Sequence, residues 1–95
     1  MPEMSFRIRW PDRAEIEYYS PSLVVRDLLT EGETLALPDF LQRARKAMQI
    51  ASDRVAEKYG FPCARARATL AAIEQHAQKF TAHEDAQITV TEFSP

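Results

Sequence analysis

Few residues of this 95-residue chain are equipped for chemistry: one cysteine, two histidines and 14 carboxylates. Cys63 stands at the start of a helical pattern, where a thiol can be acidified and act as a nucleophile. It also falls on the apolar stripe of that helix, with neither histidine near it in sequence, and reads better as a small buried hydrophobe. His76 flanks the same stripe, and His83 opens the polar string His83-Glu84-Asp85. A helical zinc motif needs a second histidine one turn away, so no metal is expected and both histidines read as surface residues. Acid–base work needs a carboxyl of shifted pKa in a cleft. Here Glu15 and Glu17 have arginine partners, while Asp53 and Glu57 lie on the wet face of a helix. With only Gly32 and Gly60, the glycine-rich nucleotide loops are excluded. The chain is read as non-enzymatic, with no cofactor.

The elements that would position these residues are clearer. Met4-Ser-Phe-Arg-Ile-Arg-Trp10 and Ala14-Glu-Ile-Glu-Tyr-Tyr19 both alternate, separated by Pro11-Asp12-Arg13. Placing Trp10 opposite Ala14 pairs Ile8 with Ile16 and Phe6 with Tyr18 on a dry face. It also sets Arg9 against Glu15 and Arg7 against Glu17 on a wet one, which is the pattern of a half-buried hairpin. Ser20-Pro21-Ser22 stops the strand and can cap a short helix over 23–29, although Val24-Val25 weakens it. Pro38 opens a long amphipathic helix to Tyr59. Its apolar arc holds Leu37, Phe40, Leu41, Ala44, Ala47, Met48, Ala51, Val55 and Tyr59, and its polar arc holds Gln42, Arg43, Lys46, Gln49, Asp53 and Glu57. Gly60 is its left-handed stop. A second helix runs from about Cys63 to Phe80 along Cys63, Ala66, Leu70, Ile73, Ala77 and Phe80. A final strand over 86–93 turns Ala86, Ile88 and Val90 inward.

The expectation is one α+β domain over 1–95: a three-stranded sheet, made of the N-terminal hairpin plus the C-terminal strand, with two long helices and one short helix packed on one face. The single cysteine allows no intrachain disulfide, no stretch of roughly 18 apolar residues occurs, and no secretory signal opens the chain. It is read as cytoplasmic. The net charge of −2 conceals an uneven distribution, with residues 38–79 basic between acidic ends. That segment is too weakly basic to resemble a nucleic-acid stripe.

Two surfaces stand out as interaction candidates. Ile50 lies on the polar arc among Arg43, Lys46, Asp53, Arg54 and Glu57, and an apolar residue ringed by charge is the composition of an interface anchor with a polar rim. The outer sheet face carries Arg7, Arg9, Glu15, Glu17, Tyr19 and Phe93 and is a candidate surface for a symmetric dimer. Ala64, Ala68, Ala71 and Ala72 on the last helix would also let another helix approach closely.

Three strings, Phe6-Arg-Ile-Arg-Trp-Pro-Asp12, Tyr19-Ser-Pro-Ser-Leu-Val-Val25 and Ala51-Ser-Asp-Arg-Val-Ala-Glu-Lys-Tyr-Gly-Phe61, resemble the small nitrogen starvation response proteins of bacteria. Those are encoded in clusters with a nitrilase, a radical SAM protein, an acetyltransferase and a flavin-dependent oxidoreductase. The resemblance spans nearly the whole chain and implies a bacterial cytoplasm, nitrogen limitation and work alongside nitrile or cyanide metabolism. It brings no catalytic residue. One position departs from expectation: a three-residue hairpin loop usually ends at positive φ, which suits glycine, and here the loop ends at Arg13. The resulting expectation is an accessory protein that binds a nitrilase-cluster enzyme or itself. The alternative is a small-metabolite or anion sensor using Arg43, Lys46 and Arg54.

Overall fold

Met4–Arg9 (β1) and Glu15–Ser20 (β2) pair antiparallel in the register that their charges dictate, with Ile8 opposite Ile16, Phe6 opposite Tyr18 and Arg7 opposite Glu17. The turn between them is closed by Arg13 N–H donating to Trp10 O at 2.8 Å and Trp10 N–H to Ala14 O at 2.9 Å. Asp12 Oδ1 accepts the Ala14 N–H at 3.0 Å. Arg13 takes φ 69°, the left-handed conformation that three-residue loops demand.

The computed structural model describes residues 2–83 and 85–95. Its element order continues with Val25–Leu28 (α1), Thr34–Ala36 (β3), Leu37–Tyr59 (α2), Ala64–Ala77 (α3), a 3-10 turn over Gln78–Phe80, and Gln87–Ser94 (β4). The sheet therefore has four strands rather than three, in the order β2-β1-β4-β3 and antiparallel throughout. β3 is three residues long, too short to show an alternating period, and its sequence runs directly into the helix that Pro38 announces. It is fixed from outside: Leu35 pairs with Ile88, and the Thr34 and Thr89 hydroxyls lie 3.0 Å apart.

β4 carries the second departure. Arg7 pairs with Glu92 but Ile8 pairs with Val90, which leaves Thr91 as a bulge whose hydroxyl donates to Arg7 O at 3.2 Å. One extra residue reverses the facing of everything after it. Phe93, placed on the outer face by simple alternation, instead lies opposite Phe6 and packs partly buried against the core.

The inner face buries Met4, Phe6, Ile8, Trp10, Ile88 and Val90. α3 lies over β2, α2 over β3 and β4, and α1 against α2. Trp10 is the centre of this core. Its ring packs edge-on to Phe40 at 5.8 Å and nearly parallel to Phe80 at 6.1 Å, and its indole N–H donates to the Tyr18 hydroxyl at 3.1 Å. Burial pushes the Tyr18 phenol above its usual value, against the opposing effect of that hydrogen bond. α2 is long for the sheet it covers. At about 1.5 Å per residue its 23 residues span about 34 Å, whereas the six residues of β1 span about 20 Å. Its last turns project beyond the sheet, in a molecule 40 Å along its longest axis.

Candidate functional site

The projecting end of the helical hairpin is built by Tyr59-Gly60-Phe61-Pro62. Gly60 ends α2 at φ 87°, where a side chain would be strained, and donates its N–H to Ala56 O at 2.8 Å. Pro62 keeps the chain extended before Cys63 starts α3. Because the sheet does not reach this far, the aromatic rings at the turn have nothing to pack on: Tyr59 is 53% and Phe61 66% exposed, the large exposed apolar side chains among the described residues. Tyr59 lies on the apolar arc of the helical wheel and was expected inside. The signal that exposes it is helix length against strand length rather than periodicity. From Lys58 to Ile73 the chain has no acidic residue, and the Lys58 ammonium, 5.7 Å from the Tyr59 ring, gives the tip a positive charge.

The five residues of the candidate partner surface on α2 divide into two groups. Arg43 is engaged within the fold: its guanidinium meets both Asp39 carboxylate oxygens at 3.3 Å and reaches Glu33 and Leu28 O, also at 3.3 Å. It ties α1, the approach to β3 and α2 together. Ile50 is half-buried and packed against the core, not exposed. The short α1 segment lies on α2. Lys46, Arg54 and Glu57 are exposed. Arg54 donates through Nη1 to Ser22 Oγ at 2.9 Å, and Arg54, Glu57 and Lys58 form one wall of a cleft of about 510 Å³ whose other wall is Pro2, Ser22 and Leu23. Arg43 and Arg54 are thus engaged at different places, one by Asp39 and Glu33 and the other by Ser22.

On the outer sheet face, charges are paired in place. Arg7 meets Glu92 at 3.2 Å and Arg9 meets Glu15 at 3.3 Å. Glu17 stands opposite Arg7. Tyr19 is partly occupied within the chain: Arg65 of α3 stacks over its ring at 3.7 Å, and its hydroxyl donates to Glu3 at 2.7 Å. Partial burial first, then the Glu3 carboxylate, push its phenol above the usual value, with Arg65 pulling the other way.

At the far end of α3, His76 corrects its sequence reading. Its side chain is 13% exposed, wedged 4.5 Å from the Trp10 ring and 5.7 Å from Phe80, and so it is not a surface histidine. Nε2 lies 3.8 Å from Asp12 Oδ2, too far for a hydrogen bond, and this buried nitrogen has no hydrogen-bond partner among the described residues. A cleft of about 660 Å³ opens nearby, lined by Pro11, Asp12, Phe80, His83 and Asp85. Glu84, which belongs to the same polar string, lies outside the described residues. Among the described residues no three metal-ligating side chains converge. Cys63 is half-buried at the start of α3. Among the described residues no helix is long and apolar enough to cross a membrane.

A protein-family model described as nitrogen starvation-induced protein NitG matches residues 5–93. Neither a curated protein nor a solved structure gives a significant match.

Proposed function

Because the chain belongs to the NitG family of nitrogen starvation-induced proteins, we propose that it acts in that response as a non-enzymatic accessory protein that grips another protein through the tip of its α2–α3 hairpin. The observation that carries this reading is the exposed pair Tyr59 and Phe61, held by a glycine-capped turn beyond the edge of the sheet. Large aromatic rings left in water cost free energy that burial against a partner recovers, and such rings are enriched among the residues that dominate binding. The Lys58 charge beside Tyr59, in a stretch without acidic residues, favours a partner surface with an apolar pocket that carries a carboxylate at its rim.

The resemblance to nitrilase-cluster proteins directs the choice of partner to the bacterial cytoplasm and to the enzymes encoded beside such proteins. The experiment is pairwise binding of the purified chain to each of those enzymes by biolayer interferometry. Wild type is expected to bind one of them, and Phe61→Ser to weaken that binding at least about tenfold, the loss of one interface anchor. Failure of every enzyme to bind, or equal binding by the variant, overturns the proposal.

A further inference from the structure

We infer that the cleft between Ser22-Leu23 and the last turns of α2 is a binding site for a small carboxylate bearing a short aliphatic chain. It adjoins the aromatic tip and shares Lys58 with it, but contains neither Tyr59 nor Phe61.

The cation in this cleft is held ready. Ser22 is 3% exposed and fixed by its own loop: its carbonyl accepts from Ser20 Oγ at 2.7 Å, its N–H donates to Ser20 Oγ at 3.3 Å, and its Oγ accepts the Val24 N–H at 3.3 Å. Arg54 Nη1 donates to that same Oγ at 2.9 Å, so a buried, rigid loop orients the guanidinium. One donor is used there, and the remaining guanidinium N–H groups are the fork that matches a carboxylate. Arg7, Arg9, Arg43 and Arg45 each have a carboxylate partner within the fold. Arg54 has none among the described residues, as is also true of Arg13, Arg26, Arg65 and Arg67, and among these it is the one hydrogen-bonded to a buried serine at a cleft. Lys58 follows one helical turn later on the same face, as a second positive charge at the cleft.

The other lining residues set the shape of the ligand. Leu23 packs against the core and, with Pro2, gives the cleft an apolar wall, while Glu57 is its one acidic member. Two cations and one carboxylate leave a single net positive charge, which suits a monoanion. A volume of about 510 Å³ lies in the range of small-molecule sites and holds a short aliphatic acid. Glu57 opposes the ligand, so its neutralisation must strengthen binding. That sign separates a carboxylate site from a merely greasy groove.

The test is a titration of the ¹⁵N-labelled protein with sodium butyrate through the millimolar range at constant ionic strength, with 1-butanol and sodium chloride as controls. Saturable shifts are expected at Leu23, Val24 and Lys58, with no matching response to either control. Arg54→Gln should weaken binding about tenfold, the loss of a charge-assisted pair. Glu57→Gln, which leaves the Arg54–Ser22 bond in place, should tighten it, and Phe61→Ser should leave it unchanged. No saturation with butyrate, equal responses to butanol or chloride, or a Glu57→Gln variant that binds no better than wild type overturns the inference.

Discussion

His76 and Trp10 meet ring to ring at 4.5 Å, with the imidazole taking a place in the core that an apolar ring would fill as well. The contact closes the end of the sheet against α3, but it leaves Nε2 buried without a hydrogen bond. A buried polar atom lacking a partner costs about 1 to 3 kcal/mol. His76→Phe is therefore expected to hold or raise the melting temperature, whereas His76→Ala, which opens a cavity beside the indole, should cost about 2 kcal/mol. Trp10 is the sole tryptophan, so its fluorescence during urea denaturation reports both. A His76→Phe variant less stable than His76→Ala would contradict this account.

Arg13 pays for its loop position. Its φ of 69° forces a side-chain-bearing residue into the left-handed region, at about 1 kcal/mol. Arg13→Gly should recover about that amount, visible as a higher urea midpoint with an unchanged slope.

Ile50 and Phe61 should respond in opposite ways. Ile50 is half-buried against the core, so Ile50→Glu places a charge in a half-buried apolar contact and is expected to cost about 2 kcal/mol. In a domain of this size the melting temperature would fall by about 8 to 16 °C. Phe61, 66% exposed, should tolerate serine within about 0.5 kcal/mol. Calorimetry of the two variants decides the matter. Comparable losses would mean that the tip ring has an intramolecular partner.

Alkaline pH should find Tyr18. Burial raises its folded-state pKa above the ordinary tyrosine value of 10.0, so the folded protein holds the phenolic proton more tightly than the unfolded chain does. The associated stability is complete below pH 10 and is lost as pH rises through the folded-state value. Urea midpoints measured from neutral to strongly alkaline pH should decline in that upper window. Tyr18→Phe should flatten the decline while lowering stability at neutral pH, because the Trp10 N–H loses its acceptor.

The parts of this fold legible in the sequence are those where two signals agree. The hairpin register is written twice, in apolar alternation and in the Arg7–Glu17 and Arg9–Glu15 oppositions. α2 carries both a period and a stop residue, whereas α3 has the period alone and passes into a 3-10 turn at Gln78. β3 has three residues and no period, and the Thr91 bulge has no turn residue to announce it; both depend on what β4 meets across the sheet. A helical wheel fixes the angle of Ile50 and Tyr59 but not the reach of their neighbours. Ile50 is half-buried against the core, and Tyr59 is left exposed. The cleft at Arg54 likewise depends on Ser22, distant in sequence and brought close only by folding.

The Thr69 hydroxyl donates 2.8 Å to the carbonyl of Tyr19, on the outermost strand of the sheet. That oxygen is one of the groups through which an open sheet recruits a foreign strand, and here a helix occupies it, while Glu15 and Glu17 further along present like charges to any approaching copy. The border of β2 is thus a poor template for fibrillar growth, and the chain is guarded there against association by strand addition.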